Sequence, residues 1–217
     1  MEEKEIVTYT EQNSKPVMER AAKILSFLTT PFISPTIAFL LLFFCTYIRI
    51  LPITYKVIVL SIVFVFTFLL PMFVILLFQK VNGWGTHELG ERKKRFIPYL
   101  LTIMSYATGF ITMNRIHLPR YMTGIIAASL ICMILCTIIN FKWKISTHVA
   151  STGMFVGGLL SYSLIFNFNP INALCIFILL AGMVGTARVI VKQHTLPEVF
   201  TGFVVGFLCG IVGILFI

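Results

Sequence analysis

PINALCIFILLAGMVGTARVIV (residues 170–191), KQHT (192–195) and LPEVFTGFVVGFLCGIVGILFI (196–217) follow one another without a gap, so two apolar runs are parted by four polar residues. Each run reaches the about 20 residues that a helix needs to cross the hydrocarbon of a bilayer. Backbone amides cannot stay open in lipid, and the runs are too long and too unbroken for barrel strands, so helices are the required form. The block reads as a helical hairpin whose short turn carries Lys192 and His194, with Arg188 just before it and Glu198 just after.

Working outward, similar apolar runs occupy about 34–50, 55–78, 96–113, 121–140 and 148–168. With 58% hydrophobic residues, 12% charged residues and 21 phenylalanines in 217 positions, the chain has too little polar surface for a soluble globule. The expected fold class is all-α: a polytopic transmembrane helical bundle of six or seven spans. The first run is the weak one, because Pro31 and Pro35 crowd its start and Arg49 and Pro52 close it early. Residues 1–30 read as a polar tail leading into an interfacial amphipathic helix from near Pro16, with Ala21, Ile24, Leu25 and Leu28 on its apolar face. Residues 31–217 form the transmembrane domain. No cleavable signal peptide is evident. Cys45, Cys132, Cys136, Cys175 and Cys209 all fall in apolar runs, which indicates packing rather than disulfides or a metal centre.

With alternate crossings, the connections near 79–95, 141–147 and 192–195 face one side of the membrane, and this holds whether or not the first run spans. That side carries thirteen of the 17 Lys and Arg residues; Arg49, Lys56, Arg115 and Arg120 lie opposite. The positive-inside rule puts the convergent face in the cytoplasm, although a phosphate site would itself gather cations. A bacterial inner membrane is the expected location. The net charge of +9 is distributed in clusters beside apolar runs, where anionic headgroups explain it, and no nucleic-acid-binding domain is indicated. Gly202, Gly206 and Gly210, like Gly153 and Gly157, repeat every fourth position. Such stripes serve close helix packing within a chain or, as a second reading, a homodimer.

Three segments bring chemistry to the convergent face. Glu91-Arg92-Lys93-Lys94-Arg95 precedes a helix and offers both guanidinium forks and point charges to a phosphate. Its neighbours His87 and Glu88 do not by themselves make a metal site. In the second segment, Ser146 or Thr147 can cap a helix whose first turn holds His148, and the free amides there favour an anion. In the third, Glu198, the sole acidic residue after Glu91, stands four residues beyond His194 and can orient its imidazole. No P-loop or dinucleotide fingerprint is present, and no cofactor is expected.

These residues resemble the type 2 phosphatidic acid phosphatase (PAP2) superfamily over about 60–217. Its third signature, Ser-Arg, five residues, His, three residues, Asp, is matched in spacing by Ala187-Arg188, His194 and Glu198. Its second, Pro-Ser-Gly-His, stands as Ile145-Ser146-Thr147-His148, and its first is nearest to Arg92-x-x-Arg95-x-x-Pro98. The resemblance implies a metal-independent lipid phosphate or polyprenyl diphosphate phosphatase. In it His194 is the nucleophile, His148 the acid and base, and Glu198 the support of His194. Arg188, Arg92, Lys94, Arg95, Ser146 and Thr147 would bind phosphate. Ala187, Thr147 and Glu198 depart from the family pattern by losing a hydroxyl, adding a side chain and lengthening the carboxylate arm. A catalytically inactive scaffold or lipid-binding protein and a lipid-phosphate transporter are the alternative readings.

Overall fold

The computed structural model describes residues 30–82 and 96–216. The tail and interfacial helix expected before residue 30 lie outside them, as do His87, Glu88, Arg92, Lys94 and Arg95. The described residues are helical throughout, with no strand among them: α1 (Ser34–Cys45), a 3-10 turn (Tyr47–Ile50), α2 (Ile53–Phe64), a π turn (Val65–Leu69), α3 (Leu70–Asn82), α4 (Phe96–Arg115), α5 (Arg120–Asn140), α6 (Thr147–Phe166), α7 (Ile171–Ile190) and α8 (Leu196–Leu215). Six helices are long and apolar enough to cross a membrane, the first being the composite Ile53–Val81. The chain is an integral membrane protein with a helical bundle.

The doubtful first run resolves into a short element. At about 1.5 Å per residue, α1 is about 18 Å long, well below the about 30 Å of hydrocarbon. Thr46 ends it by turning extended, with its hydroxyl donating to the Leu42 carbonyl at 2.5 Å and accepting from the Ile48 amide at 3.3 Å. At its other end the chain is anchored inside the bundle, where the Tyr106 hydroxyl, midway along α4, donates to the Pro31 carbonyl at 2.8 Å.

The first crossing is interrupted by a π turn for a definable reason. In the π turn the Leu70 amide bonds to Val65 rather than Phe66, and the next amide position belongs to Pro71, which has no N–H. The Phe66 carbonyl is therefore left without a backbone donor, and Ser105 of α4 supplies one at 2.5 Å. Gly109, one turn further along α4, lets the Phe66 side chain approach, since a Cβ there would lie 2.9 Å from the Phe66 Cβ.

Helix α5 is central, with 67% of its apolar stretch buried against its neighbours. The closest packing lies between α6 and α8, which run parallel: Ser146 meets Gly202, Ala150 meets Gly206, and Met154 and Gly158 meet Gly210. A Cβ on Gly202 would stand 2.6 Å from the Ser146 carbonyl oxygen, and one on Gly206 would coincide with the Ala150 carbonyl. Gly153 and Gly157 make the reciprocal approach to the backbone of Phe203 and Phe207. Gly213 closes on Ala128 of α5. The glycine stripes thus serve packing within the chain, where Gly153, Gly157, Gly202, Gly206 and Gly210 are buried.

Several buried hydroxyls within the spans are turned back on their own helices. Ser129 donates to Ile125, Thr137 to Met133, Ser161 to Gly157 and Thr102 to Pro98. Large apolar side chains such as Phe73, Leu164, Leu179 and Phe200 are exposed, as expected of surfaces that face lipid tails.

The α6–α8 crossing gives a direct test. Gly206→Ala should lower stability by about 1–3 kcal/mol, because the backbone of α6 must move to admit a methyl group. Gly182→Ala, with no atom within 4 Å of the added Cβ, should leave it unchanged or slightly higher. Thermal unfolding in detergent measures both; equal melting temperatures would contradict the crossing.

Candidate functional site

The parallel crossing sets the first turns of α6 and α8 side by side at one end of the bundle. Two further bonds lace them: the Ser146 amide donates to the Glu198 carbonyl at 3.4 Å, and Lys144 Nζ donates to the Gln193 carbonyl at 2.6 Å. The connections at 141–146 and 191–195 are therefore joined, and His148 and His194 belong to the same end. Phe96, which directly follows the basic run in sequence, packs against Phe141 of this end with ring centroids 5.2 Å apart and planes tilted by 48°.

The route from Arg188 to His194 follows from how α7 stops. Lys192 has a positive φ of 54°, its amide donates to the Val189 carbonyl at 2.9 Å, and the Gln193 amide donates to Arg188 at 3.1 Å. This is a Schellman ending, in which a lysine takes the left-handed place usually given to glycine, at a cost of roughly 1 kcal/mol. The His194 amide adds a third bond to the Arg188 carbonyl, at 3.3 Å. Arg188 itself is buried in the last turn of α7, where the helix dipole favours a cation.

Helix α8 then opens with a reciprocal cap. Thr195 is the N-cap, its side chain accepts from the Glu198 amide, and the Glu198 carboxylate accepts from the Thr195 amide at 3.3 Å. The same Oε2 lies 2.9 Å from His194 Nδ1. The His194 side chain is 1% exposed and that of Glu198 14%. A carboxylate at this distance selects the tautomer with hydrogen on Nδ1, so that the ring lone pair is on Nε2. The lone acidic residue of the C-terminal half is thus both cap and imidazole partner through one oxygen atom.

The start of α6 differs from expectation in one respect. Ser146 occupies the N-cap position but makes no side-chain cap, and its buried Oγ has no hydrogen-bond partner among the described residues. A buried hydroxyl left this way at an amide-rich helix start is suited to an oxygen-rich ligand. Thr147 and His148, the next two residues, are half-buried. The His148 carbonyl accepts from Ser151 at 2.7 Å.

The structure brings together His148, His194, Glu198, Arg188, Ser146 and Thr147 at one end of the bundle. Arg92, Lys94 and Arg95 lie outside the described residues. Lys144, which sequence reasoning counted only as a topological charge, is a strut between the two connections, and its position beside Ser146 was the one available signal. Among the described residues no group of three His, Cys, Asp or Glu is gathered in a way that would hold a metal ion. Comparison of the chain with protein-family models, curated proteins and solved structures finds no match.

The double use of Glu198 can be separated by substitution. Glu198→Gln keeps an acceptor for the Thr195 amide and should change stability by less than about 0.5 kcal/mol, whereas Glu198→Ala removes the reciprocal cap and should cost about 1 kcal/mol. Thermal melts of the two variants check this; a Gln variant as unstable as the Ala variant would show that the charge, not the cap, holds the helix start.

Proposed function

We propose that this chain is a lipid-phosphate or polyprenyl-diphosphate phosphatase of the PAP2 kind, working through a phosphohistidine at the membrane surface. The observation that carries the reading is the His194 imidazole, buried and held at Nδ1 by Glu198, beside a second helix start that bears Ser146, Thr147 and His148. The arrangement supports nucleophilic attack because the carboxylate both keeps the proton on Nδ1, placing the lone pair on Nε2, and stabilises positive charge growing on the ring.

In the first step Nε2 of His194 forms a bond to phosphorus as the bond to the leaving oxygen breaks, and His148 supplies that oxygen with a proton. In the second, water attacks the phosphohistidine, the P–N bond breaks, and His148 takes the proton from water. The amides of the α6 start, the Ser146 hydroxyl and Arg188 stabilise the equatorial oxygens, with Arg92, Lys94 and Arg95 as further cations on the same connection side. Glu198 in place of the family's aspartate is consistent with the capping box, which calls for the longer carboxylate at the third helical position. The convergent face is assigned to the cytoplasmic side of a bacterial inner membrane, by the excess of Lys and Arg.

A second reading, a lipid-phosphate-binding protein without turnover, is favoured by Thr147, whose side chain stands where the family signature has glycine. The transporter reading is disfavoured by the local satisfaction of the hydroxyls of Ser129, Thr137 and Ser161, which offers no polar path through the spans.

Purified protein in detergent should release inorganic phosphate from phosphatidate, phosphatidylglycerol phosphate or a polyprenyl diphosphate without added divalent metal. His194→Ala should abolish release; a fully active variant would overturn the mechanism. Glu198→Gln should lose on the order of 10²-fold in kcat. Arg188→Lys should also lose activity, since a point charge does not reproduce the guanidinium fork. Binding of the same lipids with no release by the wild type would select the second reading.

A further inference from the structure

A cavity of about 10 Å³, room for one small occupant, lies beneath the first turn of α6, between α4, α5 and α6. Four of its lining residues carry sulfur: Cys132, Met133 and Cys136 of α5 and Met154 of α6. We propose that it is a site for a single soft monovalent metal ion, Cu(I), with the sulfurs of Cys132 and Cys136 as principal ligands and a thioether completing the shell. The ion ties α5 to α6 and takes no part in phosphate release, so the inference does not rest on the phosphatase reading.

Backbone packing gathers the sulfur. Helices α5 and α8 run antiparallel and come close where a Cβ on Gly213 would stand 2.5 Å from the Ala128 Cα. One turn nearer the site end, the same register sets Cys132 of α5 opposite Cys209 of α8. The Cys132 thiol has hydrogen-bonding interactions with Cys209 and with Cys136 of its own helix. All three cysteines are buried in one cluster with Ile145 and Ala150, and Met154 packs against it.

The donor set decides the ion. No Asp, Glu or His lines the cavity, which disfavours hard cations that take six or more oxygen ligands. The hydroxyls of Tyr106, Ser129 and Ser151 on its wall donate to the carbonyls of Pro31, Ile125 and His148. Zinc takes four nitrogen or sulfur ligands at the corners of a tetrahedron, and among the described residues no three cysteines, histidines or acids gather for it. Thiolate and thioether sulfur selects Cu(I), which two or three soft ligands satisfy. On binding, the Cys132 S–H bond breaks, a Cu–S bond forms, and the proton leaves to water at the site end. One thiolate with Cu(I) is neutral, so the membrane interior gains no net charge. The Cys209 S–H then donates to that thiolate, as outer partners of metal ligands do. Thr147, the first residue of α6, also lines the cavity and turns its mouth toward the site end.

The test uses full-length protein, reduced and purified in detergent under argon, with Cu(I) supplied in competition with a chromophoric Cu(I) chelator of known affinity. One Cu(I) per chain should be retained, with only sulfur neighbours in its X-ray absorption spectrum, and the melting temperature should rise on binding. Cys132→Ser and Cys136→Ser should each weaken retention at least about 100-fold, and Cys209→Ser roughly 10-fold, as loss of an outer partner does. Met154→Leu keeps the volume and removes the thioether; it should weaken retention while changing the metal-free melting temperature little, so the inference does not hang on the folding of the serine variants. Cys45→Ser and Cys175→Ser, at exposed positions, should bind as the wild type does. Cu(I) retained by the Cys132→Ser/Cys136→Ser double variant, oxygen or nitrogen neighbours in the spectrum, or zinc held as tightly as Cu(I) would overturn it. Phosphate release is read on the same samples without metal, so Cu(I) retention without release removes only the phosphatase, and release without retention removes only the metal site.

Discussion

Everything at the candidate site depends on the parallel contact of α6 and α8 through glycine. Lipid tails are as apolar as leucine, so helices in a bilayer gain little from hiding apolar surface against each other and associate instead by close van der Waals contact. Gly202, Gly206 and Gly210 let the α6 backbone sit where side chains would otherwise hold it away, and Gly153 and Gly157 repay the approach from the other side. Because α7 returns the chain across the membrane between them, the two helices run in the same direction and begin at the same end. Two amide-rich starts, each beside a histidine, are thereby placed together.

At that end structural and chemical roles coincide rather than compete. The Glu198 carboxylate completes a capping box and holds His194 with one oxygen, so the geometry of the helix start is also the geometry of the imidazole. The Schellman ending of α7 carries the chain over from Arg188 to His194 in six residues, with the Gln193 and His194 amides both donating to the Arg188 carbonyl. The contrast is Ser146, which stands at a cap position yet spends its hydroxyl on no described partner. Ser129, Thr137 and Ser161 are satisfied within their own helices, whereas the Ser146 hydroxyl, like that of Thr30, is buried without a partner among the described residues.

The N-terminal part of the bundle is shaped by three prolines. Pro71 deprives the Phe66 carbonyl of a donor, and the repair by Ser105 ties α4 to the π turn. Pro31 and Pro35 stand at the start of α1, where the chain enters the helix inside the bundle rather than at its surface. The shortened helix leaves an apolar space beside α6 that a full-length span would have filled.

The sequence by itself determined the solvent, the helical class and the long spans, because apolar runs of about 20 residues have one stable form in hydrocarbon. It also determined that 141–147 and 192–195 share a side, since two helices part them, and that His194 and Glu198 could meet, since residues four apart at a helix start are neighbours. Only the tertiary structure decided that the glycine stripes face each other, that Lys144 braces Gln193, that Ser146 is buried without a cap bond, and that the first run is a short embedded helix. Those outcomes depend on backbone distances between segments far apart in the chain, and a pattern of residue types carries periodicity and charge but not the depth at which two helices come to rest.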